Sequence, residues 1–145
     1  MGRKETKKYL NLLRKYQFDI DHKLTELYRL ETLATKTTVA LQGDRVQTSP
    51  SDKLSEAVAK IADLKDEIAE SYNGYLQKRR VIIEQIEHME NDEFRQILIL
   101  RYDECLPFDA ITDKLNMSRR TVFYTFDKAL DAFEEKYFEE MKSLH

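Results

Sequence analysis

Apolar residues recur along the chain at helical spacing, in three blocks. From about Lys4 to Ala34, Leu13, Ile20, Leu27 and Ala34 return every seven residues, and Leu10, Tyr16, Leu24 and Leu30 fill neighbouring positions. Such a stripe predicts a long amphipathic helix. Residues 35–50 lose the pattern and are rich in Thr, Gln, Gly, Asp and Ser, which predicts a polar, mobile connector. A second stripe follows: Leu54, Ile61, Ile68, Tyr75, Ile82 and Met89, with Val58, Leu64, Tyr72 and Ile86 beside it. Ser51-Asp52, just after Pro50, predicts its start. A seven-residue repeat this long predicts coiled-coil packing, and about forty residues of helix would span roughly 60 Å. Asn73-Gly74 falls inside the stripe without shifting its register, which predicts a weak or bent point rather than a turn.

The third block is more broken. Asn91-Asp92 predicts a helix cap ahead of Phe94, Ile97, Leu98 and Tyr102. Pro107 suits the first turn of a new helix, because its missing N–H would be unpaired there anyway. Ala110, Ile111 and Leu115 supply that helix with one buried face, and Asn116-Met117 interrupts it. Ser118 can then cap a helix opening Arg119-Arg120-Thr121-Val122 and continuing to Ala129, Leu130 and Phe133. A short helix, a tight turn and a capped second helix predict a helix-turn-helix. Ala110 is small enough for a close crossing, and Ile111, Leu115, Met117 and Val122 would fill the angle.

In such motifs the first turn of the second helix meets base edges in the major groove. Ser118, Arg119, Arg120 and Thr121 hold that place, with Phe123 and Tyr124 next along. Arginine can pair with guanine O6 and N7, and Ser or Thr can bond bases or phosphate. Phe123 or Tyr124 would contact a thymine methyl or pack on Phe94 or Phe108. The plainer reading of the same pattern is a three-helix bundle with two solvated arginines.

Composition narrows the class. Of 145 residues, 35% are charged and 41% hydrophobic, with three Gly, two Pro and no Trp, which points to an all-α protein. A single Cys excludes a disulfide framework and a thiolate zinc site. The longest apolar run, Ile97 to Leu100, is too short for a membrane span. Met1-Gly2-Arg3-Lys4-Glu5-Thr6 is charged and leads into no apolar stretch, so no signal peptide is expected, and a reducing cytoplasm is the expected compartment.

Charge is uneven. Residues 1–15 carry six basic side chains and one acid, whereas residues 91–145 carry eight basic and twelve acidic ones, densest at Glu134, Glu135, Glu139 and Glu140. The acidic excess opposes DNA binding, which depends on phosphate neutralisation. Those acids, however, lie beyond the motif. The basic excess admits a nucleic-acid face along the first helix, although a helical hairpin or dimerisation rod is the plainer account.

No enzyme constellation is legible. His22, His88 and His145 are far apart, and no glycine-rich phosphate loop is present, so no catalytic, metal or cofactor site is expected. Cys105 reads as a small buried residue with nothing nearby to lower its pKa. Asp63, Asp66, Glu67 and Glu70 form an acidic helical face, read as solvated surface. His22 and His88 read as surface histidines, and the Tyr and Phe residues mostly as packing.

One resemblance is specific. Ile97-Leu98-Ile99-Leu100-Arg101-Tyr102, Phe108-Asp109-Ala110-Ile111, Leu115-Asn116-Met117-Ser118-Arg119-Arg120-Thr121-Val122-Phe123 and Lys128-Ala129-Leu130 together resemble the region-4 domain of sigma factors. They are more similar still to small phage and prophage regulators built on it, the ArpU-like or RinA-like late transcription regulators and related families of unknown function. With Ser55 to Leu64, which resembles the central helix of that phage family, the likeness spans roughly residues 5–135. It implies a DNA-binding regulator of phage genes in a bacterial host, without catalysis. Ser118, Arg119, Arg120, Thr121, Phe123 and Tyr124 would face DNA, Arg101 and Lys114 would touch phosphates, and RNA polymerase is a candidate partner. Thr125 stands where the family usually has an apolar core residue.

The expected organisation is a stalk of two long antiparallel helices over 1–90, with connector 35–50, followed by a helix-turn-helix domain over 91–145. Self-association through the stalk would make a homodimer on double-stranded DNA. Two other readings stay open: a DNA-packaging component resembling a small terminase subunit, and a coiled-coil adaptor that binds protein alone.

Overall fold

The computed structural model describes residues 2–43 and 48–143, with side chains for 2–36 and 52–143. Every element among the described residues is helical. Helix α1 (Arg3–Leu10) and helix α2 (Leu12–Gly43) are separated only at Asn11. The ladder of hydrogen bonds carries across it, from Asn11 N to Lys7 O (2.8 Å) and from Lys15 N to Asn11 O (3.0 Å). Helix α3 spans Thr48–Glu87.

The connector expected at 35–50 is therefore mostly helix, and residues 44–47 of it lie outside the described residues. Threonine costs a helix only about 0.7 kcal/mol or less per residue. Two threonine hydroxyls are satisfied within the helix itself, Thr32 Oγ1 donating to Tyr28 O (2.8 Å) and Thr35 Oγ1 to Glu31 O (2.9 Å). Helix α3 starts at Thr48 rather than at Ser51-Asp52. Pro50 then sits in the first turn, where a missing N–H breaks no helical bond.

Helix α3 runs through Asn73-Gly74 without interruption, so no turn forms there, as the unshifted register predicts. A Cβ on Gly74 would lie 3.3 Å from Cε1 of Tyr16. The glycine makes room for the Tyr16 ring.

Contacts group Met1–Lys15 with Tyr75–His145, and Tyr16–Gly74 separately. The first unit holds the core. Tyr9, Leu10 and Leu13 share one cluster with Ile82 and Ile86 of the α3 end, Met89 just beyond it, Ile97 and Leu98 of α4 (Asp92–Leu98), Ile111 of α5 (Phe108–Leu115), and Val122, Leu130 and Phe133 of α6 (Arg119–Ser143). Segments on both sides of residue 90 share this core: the first stripe begins in it and the second ends in it. Phe133 packs between Tyr9 (5.9 Å between ring centroids) and Tyr137 (4.9 Å). Tyr9 Oη donates to Gln85 Oε1 at 2.6 Å. Thr125 is buried despite its hydroxyl.

Asn91 caps α4, its side chain accepting from Phe94 N at 3.1 Å. The helix then widens into a π-turn over Ile99–Asp103, closed by Glu104 N donating to Ile99 O (3.0 Å). Arg79 of α3 clamps this turn with two bonds to the Asp103 carboxylate, at 2.8 and 2.9 Å. Such forked pairs fix geometry as well as charge.

In the unit Tyr16–Gly74, Leu27, Leu30, Leu54, Ile61, Leu64 and Ile68 are only half-buried. Lys23 Nζ donates to Ser71 Oγ at 2.7 Å and pairs with Asp19 at 3.1 Å. Phe18 and Tyr28 are 76% and 72% exposed. Reading the aromatic residues as packing fails for these two, and Tyr124 too is 64% exposed.

Candidate functional site

The extended Pro107 precedes α5 as its cap residue, its carbonyl accepting from Ile111 N at 3.1 Å. Helix α5 ends at Asn116, which adopts the left-handed conformation (φ 53°, ψ 46°) that Asn tolerates better than most residues. Met117 N donates back to Thr112 O at 3.2 Å, which closes the end of the helix and turns the chain. Ser118 Oγ then accepts from Thr121 N at 3.1 Å and donates to Thr121 Oγ1 at 2.8 Å, capping α6. Ile111 and Val122 are fully buried in the angle, with Leu115 and Met117 packed against them.

The consequence is a first turn of α6 facing solvent. Ser118, Arg119, Arg120 and Thr121 are all exposed. Tyr124 is 64% exposed, and Phe123 stacks at the rim on Phe108, 4.7 Å between centroids. Phe94 is half-buried against the core. The nearest carboxylate to Arg119 is that of Asp109, 3.6 Å away with both side chains exposed, a pairing that water and salt weaken.

Arg101 and Lys114 lie elsewhere. Lys114 is exposed and sits 3.5 Å from Glu104. Arg101, carried by the π-turn, is half-buried; its Nη1 donates to Leu106 O (3.0 Å) and its guanidinium lies 4.2 Å from the Phe108 ring centre. It shares a cleft of about 390 Å³ with Lys4, Lys7, Lys8, Asn11, Arg14 and Tyr102. Burial, and then the Arg14 charge, push the Arg101 guanidinium below its usual pKa. Burial pushes the Tyr102 phenol up to about 12. The basic count over residues 1–15 signalled these lysines, but their meeting with Arg101 is tertiary.

Cys105 takes a left-handed backbone (φ 58°). Burial raises the pKa of its thiol, in line with the expectation that it is not lowered, although Arg14 and Arg101 both favour the thiolate. Among the acids of α6, Asp131 takes two bonds from Arg3, each 2.8 Å, and Asp127 lies 3.6 Å from the same guanidinium. That bond holds the Asp131 carboxyl below its ordinary value. His22 and His88 are exposed, as are Asp63, Asp66, Glu67 and Glu70. Among the described residues no His, Cys, Asp and Glu cluster is arranged to hold a metal ion.

Residues 34–134 match DUF1492, a family described as a protein of unknown function, and the chain belongs to that family. No curated protein and no solved structure matches it. Among the described residues no helix is long and apolar enough to cross a membrane.

Proposed function

We propose that the chain is a sequence-specific DNA-binding regulator of phage or prophage transcription, with α5, the Asn116 turn and α6 forming a helix-turn-helix. One observation carries this reading. The capped start of α6 offers Ser118, Arg119, Arg120 and Thr121 to solvent while Val122, the next residue, is buried. A recognition helix needs this division: an anchored underside and a free leading turn. Phe123 and Tyr124 extend the exposed surface. The resemblance of Ile97 to Leu130 to sigma region 4 and to the ArpU-like or RinA-like regulators supports the same assignment, and makes RNA polymerase a candidate partner.

The remainder is proposed as a stalk. Lys23 bonded to Ser71, and Tyr16 against Gly74, support an antiparallel pairing of α2 and α3. Exposed Phe18, Leu24 and Tyr28 along α2 support pairing with a second copy, which would place two recognition helices on two half-sites.

The test begins by selecting a preferred duplex from a random library. Arg119→Ala and Arg120→Ala are each expected to weaken binding to it by about 1–3 kcal/mol if the arginine pairs with a base. Unchanged binding by both variants would remove α6 as the reading helix. Light scattering checks the assembly: a ring of many subunits would favour a packaging component over a dimeric regulator. A chain without any salt-sensitive DNA binding would instead be a protein-binding adaptor.

A further inference from the structure

The cleft under Arg101 is unusual for its charge. Lys4, Lys7, Lys8 and Arg14 recur at intervals of three, one and six residues, with Asn11 between, and all line the cleft with Arg101. Among the described residues none of these five cations forms an ion pair. Nearby acids are held by other cations: Asp103 by Arg79, Glu104 by Lys114, and Asp127 with Asp131 by Arg3. Five positive charges that converge without a carboxylate repel one another; the Arg101 guanidinium, lowered chiefly by burial, is lowered further by Arg14. An anion bound there would relieve it.

Geometry favours a long anion over a small one. From Lys4 to Arg14 the helical path covers roughly 15 Å, several phosphates of a nucleic-acid strand but more than one free phosphate can span. The cleft also adjoins the face of α6. Lys7 lies over Phe126 (5.9 Å), Phe126 meets Phe108 edge-on (5.1 Å), and Phe108 meets both the Arg101 guanidinium and the Phe123 ring. Arg119 in turn lies over Phe123 at 5.7 Å. A single aromatic cluster therefore underlies both the cationic cleft and the leading arginine of α6.

We propose that the cleft formed by Lys4, Lys7, Lys8, Arg14 and Arg101 clamps the sugar–phosphate backbone of the duplex whose bases α6 reads. This rests on the DNA-binding function proposed above, and extends it to a segment, α1, that lies outside the matched residues 34–134. The clamp supplies affinity without sequence preference and compensates for the acidic excess of the C-terminal helices.

The experiment is a titration of the full chain with a mixed-sequence duplex over a range of salt, followed by anisotropy. In the triple variant Lys4→Gln, Lys7→Gln, Lys8→Gln the slope of log K against log salt is expected to fall by about 2–3, at about 0.9 for each phosphate no longer neutralised. Affinity should drop equally for every duplex sequence, and Lys4→Arg, Lys7→Arg, Lys8→Arg should restore both. These lysines are exposed and their charges repel, so the thermal midpoint should not fall. An unchanged slope and affinity in the glutamine variant, while the natural chain binds DNA, would overturn the clamp and leave the α6 assignment standing. Competition by inorganic phosphate at constant ionic strength, with the slope unchanged in that variant, would give the cleft to a small anion and likewise overturn the clamp. Absence of duplex binding by the natural chain would instead sink the DNA-binding function, and the clamp with it.

Discussion

The two units carry the same heptad stripes and bury them very differently. Leu13 and Ile82 are fully buried in the unit Met1–Lys15 with Tyr75–His145. Leu27, Ile61 and Ile68, on the same stripes, are half-buried in the unit Tyr16–Gly74, where Phe18 and Tyr28 are exposed. Residue type does not explain the contrast, since leucine and isoleucine occupy both regions. The number of helices that meet them does. In the first unit, α4, α5 and α6 close over the stripe ends; in the second only α2 and α3 are present. A pair of helices can cover one seam, and a broader apolar stripe leaves part of itself outside.

The sharpest test of this contrast sets Phe133→Ala beside Phe18→Ala in urea unfolding. Phe133, fully buried between Tyr9 and Tyr137, should cost about 3–5 kcal/mol. Phe18 should change stability by no more than about 0.5 kcal/mol. If the proposed pairing with a second copy forms, a Phe18→Ser, Tyr28→Ser variant should weaken it in light scattering. Equal destabilisation by the two alanine variants would show that the exposed stripe is covered in solution as completely as the core.

Alkaline titration gives a smaller effect confined to the first unit. The buried Tyr102 has a folded-state pKa of about 12, above its ordinary 10. Its contribution is thus fully present below pH 10 and lost as pH rises toward 12. Two units correspond to on the order of 2–3 kcal/mol. Circular dichroism and urea midpoints between pH 9 and 12, compared with Tyr102→Phe, should show part of the loss disappearing in the variant. Identical alkaline profiles would place the titrating group elsewhere.

The smallest effect is at the acid end. Asp131 is held below its ordinary pKa by Arg3, so its contribution is present above the ordinary carboxylate range and fades as pH falls through the lowered value. Both side chains are half exposed, so added salt should shrink the difference. Arg3→Ala should therefore lower the thermal midpoint slightly at neutral pH and low salt, and leave it unchanged in strong acid. A midpoint difference that survives strong acid would mean that Arg3 stabilises α1 by packing rather than by charge.

Much of the local structure was legible in the residues alone. Asn91 and Ser118 cap α4 and α6 because a side-chain oxygen followed by helix formers has few better uses. Asn116 ends α5 because Asn accepts the left-handed turn. The run of threonines at 35–38 misled, since their low helix propensity is weak enough for a long helix to override. At Gly74 the unbroken register told against a turn, and no turn forms; the reason for the glycine, the Tyr16 ring, is a neighbour far away in sequence.

Of the candidate site, the four residues at the start of α6 were legible as a group, because they are contiguous and follow a cap. Arg101 stood out by its charge, but its half-buried place in the π-turn beside Phe108 is set by the tertiary structure. What the chain determined by itself was everything set within a few residues: helix class, caps, the turn and the count of charges at each end. Only the tertiary structure decided which end of each stripe is buried, which carboxylates are neutralised, and that Lys4, Lys7, Lys8 and Arg14 share a cleft with Arg101. Periodicity fixes the face of a helix; how many partners that face meets depends on segments far apart in sequence closing together.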